Sequence, residues 1–198
     1  MDEDAGAGFY RILADKMTLL FVVMALGLIM LIPMVAKKVT QSAEVTQQPP
    51  GTVIVTADWD PNSDADVDLW TRAPGDTPVG YSAKSGVVFN LLRDDLGQIA
   101  DASHLNAEVA YARGYRAGTY VVNVHLYRLR RGDLPLPVRV VVSIQPEGSE
   151  SPVQMWSGDV VLTKEGQELT AVRFVLDAQG RLVPDSVDQV QVPVRSAK

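Results

Sequence analysis

Gly118-Thr119-Tyr120-Val121-Val122-Asn123-Val124-His125-Leu126-Tyr127 is the stretch that decides the fold class. Side chains alternate across an extended chain, so Tyr120, Val122, Val124 and Leu126 fall on one face and Asn123, His125 and Tyr127 on the other. One apolar and one polar face predict a half-buried antiparallel strand, with His125 as an ordinary surface residue. Val138, Val140, Val142 and Ile144 repeat the alternation, and no helical period of useful length separates the two runs.

Outward from these, short β-branched and aromatic runs predict strands over Thr52–Trp59, Val67–Arg72, Gly86–Asn90, Gly118–Tyr127, Pro137–Gln145, Val153–Thr163 and Glu168–Asp177. Clusters of Gly, Pro, Asn and Asp divide them. Such a series predicts an antiparallel β-sandwich of Greek-key or jelly-roll type over residues 52–177. Residues 178–198 are polar with scattered valines and read as a loose tail.

Upstream the pattern changes. Val39–Gly51 (VTQSAEVTQQPPG) is polar, lacks apolar periodicity and closes on Pro-Pro-Gly, so residues 37–51 read as a flexible linker. Met17–Ala36 carries no charged residue over 20 positions. As a helix it would rise about 30 Å, the thickness of a hydrocarbon core. The expected fold class is therefore a single transmembrane α-helix over 15–36, preceded by a short N-terminal segment over 1–14 and followed by an all-β domain. A secretory signal peptide fits less well, because the apolar run exceeds an h-region and Met1–Arg11 is acidic and glycine-rich. Arg11 and Lys16 before the run balance Lys37 and Lys38 after it, so basic residues alone do not orient the helix.

Composition narrows the function classes. With 24 acidic against 18 basic residues the net charge is −6, and no Lys/Arg-rich run exists, so a nucleic-acid partner is not expected. The chain has no cysteine, which excludes disulfides, thiolate zinc sites and cysteine nucleophiles. His104 and His125 are the only histidines, and neither has a serine or acid at a spacing that marks a triad. Without an HExxH, a GxSxG or a glycine-rich phosphate loop, no enzymatic activity is expected.

Two acidic features remain. Asp58–Trp70 packs five aspartates and an asparagine into thirteen residues. Calcium takes six to eight oxygens, which such a run supplies, although the spacing is not that of an EF-hand. A solvated turn between strands is the other reading, since Asp, Asn, Ser and Pro are good turn formers. The second feature is Asp15, in the first turn of the apolar segment. There an acid either favours the helix dipole by about 0.3–1 kcal/mol or, inside a membrane, has its pKa raised by desolvation and exchanges protons.

The string Leu13-Ala14-Asp15-Lys16-Met17-Thr18 ahead of a Leu/Val/Met run resembles the opening of the membrane helix of the flagellar stator B subunit, MotB. ExbD and TolR share that architecture. The resemblance implies Asp15 as the ion-carrying carboxylate with Thr18 one turn along, protons as the coupling ion, and a self-dimer inside a MotA/ExbB/TolQ-like multi-span channel ring. It also implies a bacterial inner-membrane location with a cytoplasmic N-terminus, and a periplasmic β-domain that acts on an envelope component. Separately, Trp59–Trp70, Arg93–Gly97 and Gly118–Tyr127 resemble, in order, motifs of a bacterial domain of unknown function typified by YfaP. That resemblance implies a shared acidic site, with Asp66, Asp68, Asp94 and Asp95 as candidate Ca2+ ligands. Two functions stay open: the B-type subunit of a proton-driven motor, or a membrane-anchored, calcium-dependent module that binds glycan or protein without moving ions.

Overall fold

The computed structural model describes residues 15–24, 52–97, 105–145, 149 and 151–195. The chain divides into two compact units, Met1–Gln48 and Pro49–Lys198.

In the first unit, residues 15–24 form helix α1. Ten residues rise about 15 Å, half the hydrocarbon thickness. Among the described residues no helix is long and apolar enough to cross a membrane. The expected single transmembrane helix over 15–36, and the single-pass motor architecture built on it, are corrected accordingly. An apolar composition makes a segment compatible with lipid, but crossing requires continuous helical length, and α1 supplies half of it. The remainder of that segment (25–36), the N-terminal residues 1–14 and the linker 37–51 lie outside the described residues.

The second unit is all β. Its strands are β1 (Val53–Trp59), β2 (Asp64–Arg72), β3 (Phe89–Arg93), β4 (Ala107–Ala112), β5 (Gly118–Arg131), β6 (Leu136–Ile144), β7 (Val153–Leu162) and β8 (Glu168–Leu176). They form a five-stranded sheet in the order β3-β4-β1-β6-β7 and a three-stranded sheet in the order β2-β5-β8. Every neighbouring pair is antiparallel. The all-β, two-sheet expectation holds. β4 has no counterpart among the expected strands: in Ala107-Glu108-Val109-Ala110-Tyr111-Ala112 the core-facing positions are a glutamate and two alanines, residues depleted in strands, so the apolar alternation is hidden. β2 starts at Asp64 rather than Val67, its first three residues including aspartates that read as loop.

The core lies between the sheets. Val53, Val55 and Ala57 of β1, Val138, Val140 and Val142 of β6, and the anticipated face of β5 (Tyr120, Val122, Val124, Leu126) are all buried there. The Tyr120 and Phe174 rings stack at 5.1 Å, and Phe89 meets Tyr120 edge-on at 6.0 Å. The Tyr120 hydroxyl donates to the Arg116 carbonyl at 2.9 Å and accepts from the Arg116 N–H at 2.8 Å, so the buried phenol leaves no polar group stranded.

The other face of β5 is also covered. Asn123 and His125 are 0% and 1% exposed, which corrects the expectation that His125 faces solvent. The C-terminal residues, read from sequence as a loose tail, run across this face. Val194 packs on Trp70 and Val121, Asn123 Nδ2 donates to the Val192 carbonyl at 2.8 Å, and Glu168 Oε1 accepts from the Val194 and Arg195 N–H groups at 2.8 and 3.0 Å. The scattered valines and the polar β5 face complement each other, a match that neither segment shows alone.

Phe174 is fully buried in the ring stack, so Phe174→Ala removes a large apolar volume from a site with little room to collapse. The expected loss is about 3–5 kcal/mol, read as a lower urea midpoint with an unchanged m-value.

Candidate cation site and adjoining pocket

β4 directs Glu108, Ala110 and Ala112 into the sandwich, so a carboxylate occupies a core position. Glu108 Oε2 accepts from the Leu69 N–H at 2.6 Å and Oε1 accepts from the Asp95 N–H at 3.2 Å. Leu69 belongs to β2, an edge strand of its sheet. The carboxylate thus stands where a neighbouring strand would otherwise accept that N–H. Burial pushes the Glu108 pKa well above the usual carboxylate range, opposed by the Leu69 N–H bond and reinforced by the charges of Asp68 and Asp94.

Asp68 reaches the same place from β2. Its Oδ2 lies 2.7 Å from His125 Nδ1, and Arg195 Nη1 contacts His125 Nε2. A guanidinium only donates, so Nε2 accepts and the ring proton sits on Nδ1, donated to Asp68. Burial raises the Asp68 pKa, and the His125 bond opposes it.

Asp94 comes from the turn after β3. Its Oδ2 pairs with Lys84 Nζ at 2.6 Å, whereas Oδ1 is buried and has no hydrogen-bond partner among the described residues. Asp68, Asp94 and Glu108 each present an oxygen within 4.8 Å of the others, the one acidic cluster of this kind among the described residues.

The remaining candidates lie elsewhere. Asp95 is engaged in holding the turn: Oδ1 accepts from the Gly97 N–H at 2.9 Å, and Oδ2 accepts from the Ala107 N–H and from Arg93 Nη2, each at 3.2 Å. Asp66 shares with Asp68 an open pocket of about 220 Å³, also lined by Tyr81, Leu96 and Tyr127. Asp66 is 5% exposed, and among the described residues no hydrogen bond or ion pair reaches its carboxylate. Burial first, then the charge of Asp68, pushes its pKa up to about 6. Asp15 and Thr18 are exposed on α1, in the other unit.

Sequence reasoning therefore named two of the three clustered acids and missed Glu108. Its only signal was a glutamate in phase with Ala110 and Ala112, in a run too poor in β-branched residues to read as a strand. No family model, curated protein or solved structure matches this chain.

A carboxyl whose pKa is raised in the folded state binds more protons folded than unfolded in the window between the two values, so stability falls as pH rises through it. For Asp66 that window runs from 3.8 to about 6. In EDTA the melting temperature should fall as pH rises across it. Asp66→Asn should flatten that fall and melt above wild type at pH 7; a steeper fall would contradict the assignment.

Proposed function

We propose that this chain is a calcium-binding β-sandwich module whose role is recognition rather than catalysis. The observation that carries this reading is the convergence of Asp68, Asp94 and Glu108 oxygens within 4.8 Å. Oxygens bound to one calcium at about 2.3–2.6 Å lie at most about 5 Å apart, so this spacing suits a shared ion. An all-oxygen set favours a hard cation over zinc or copper. Among the described residues the three acids at this partly buried point face Lys84, His125 and, behind His125, Arg195, and Asp94 Oδ1 retains an unused acceptor. Backbone carbonyls or waters would complete a coordination shell of six to eight.

The alternative, an ion-driven motor subunit, required Asp15 inside a membrane-crossing helix. The ten described residues of α1 do not provide one.

Calcium that binds only the folded state stabilises it by mass action, about 2.7 kcal/mol at a hundred times the dissociation constant. Millimolar CaCl2 should therefore raise the melting temperature of the full chain in low-salt buffer. Asp94→Asn and Glu108→Gln should abolish most of the rise, while Asp159→Asn, exposed on β7, should leave it intact. An equal rise in Asp94→Asn, or none in wild type, would overturn the reading.

A further inference from the structure

The pocket beside the acidic cluster shares Asp68 with it but has its own chemistry. Asp66 is nine-tenths buried and without a partner among the described residues, at the wall of a cavity otherwise formed by Tyr81, Tyr127, Leu96 and Asp68. The charges of Arg130 and Arg128 reach Asp66 but offset its burial and the repulsion of Asp68 and Asp94 only in part, so a complementary ligand is positively charged. The aromatic walls narrow the class further. Tyr81 and Tyr127 lie 6.2 Å apart between centroids, with planes tilted by 47°. Phenol faces attract cations, and Tyr127 already holds one, the Arg128 guanidinium, 5.5 Å from its centroid. Arg130, the other nearby base, is engaged with Asp64 at 3.3 Å and the Leu96 carbonyl at 3.1 Å. Trp70 braces Tyr81 edge-on at 5.6 Å, which fixes that ring in place.

We propose that this pocket binds an alkylammonium group, primary or methylated, with its charge against Asp66, its nitrogen substituents on the two tyrosine faces and its aliphatic stem along Leu96. A bare metal ion would find aromatic and aliphatic walls where it needs further oxygens. A sugar would need hydrogen-bond donors and acceptors in pairs, and among the described residues no amide or basic side chain lines the cavity. The inference names the ligand class for the recognition role proposed above and rests on that reading for its purpose; the pocket itself uses no calcium ligand except Asp68.

Calorimetric titration of the full chain tests it, in 1 mM CaCl2 and again in EDTA. The probes are choline, Nα-acetyl-lysine amide and its Nε-trimethyl form, with 3,3-dimethylbutan-1-ol as the neutral isostere of choline and glucose as the sugar control. The ammonium probes should bind at least about tenfold more tightly than the neutral isostere, and Asp66→Asn and Tyr127→Leu should each weaken them by at least about tenfold. A stronger response to the lysine derivatives than to choline identifies a protein side chain as the source, and the reverse a free quaternary amine. Either supports the proposal. Equal binding of the neutral isostere, binding of glucose alone, full affinity in Asp66→Asn, or no binding of any ammonium would overturn it. The two readings separate cleanly: Asp94→Asn should lose the calcium-induced thermal shift yet keep ammonium binding, and Asp66→Asn the reverse. The retained shift in Asp66→Asn also reports that the variant is folded.

Discussion

The two sheets meet through a layer of aliphatic and aromatic side chains, and at one end of that layer the interior position on β4 is a carboxylate. Glu108 links the sheets where apolar contact gives out. One oxygen serves the free edge of β2 and the other the turn that follows β3. Removing the side chain would strand a buried N–H on each side, and leaving it charged carries a desolvation cost that only protons or cations relieve. The placement of Asp68 and Asp94 follows from this contact, since β2 and the turn are the elements Glu108 ties down.

β2 serves both sites because it is an edge strand. Its inner face supplies Val67 and Leu69 to the core, its open edge meets Glu108, and its outer face carries Asp66 and Asp68 toward the pocket. The C-terminal segment closes the arrangement from outside. Arg195 fixes the His125 tautomer, His125 fixes Asp68, and Val194 seals Trp70, which in turn supports Tyr81. A change at Arg195 can therefore reach Asp68 of the acidic cluster through two successive contacts. Polar chains of this kind stay ordered when their members are satisfied, and Asp94 Oδ1 is one of the buried polar atoms that this one leaves without a partner among the described residues.

A rigid sandwich presenting recognition groups from turns and strand ends is a common division of labour, because the core fixes the frame while exposed connections carry chemistry. Leu96 and Asp94 stand on the turn after β3, Tyr81 on the loop before it, and Tyr127 on β5 beyond the buried part of that strand. The aromatic series Trp70, Tyr81, Tyr127 and His125, with centroid separations of 5.6, 6.2 and 6.4 Å, is buried at both ends and lines the open pocket with its two middle members.

Local pattern alone determined the strands that alternate. Gly118–Tyr127 and the valines of β6 declare their faces because a period of two places every second side chain in the core. The aspartate-rich run showed a concentration of acids, and the resemblance to the YfaP-type domain singled out Asp66 and Asp68 within it. Tertiary structure decided the rest. Composition marked Met17–Ala36 as apolar, but crossing a membrane takes helical length as well, and among the described residues no helix is long and apolar enough for it. Glu108 acquires its place from a strand of alanines that pairs with β1 and β3, a register no local period encodes. His125 reads as solvent-facing because alternation specifies which side of a strand a residue takes, and only the returning C-terminal segment determined that both sides of β5 would be dry.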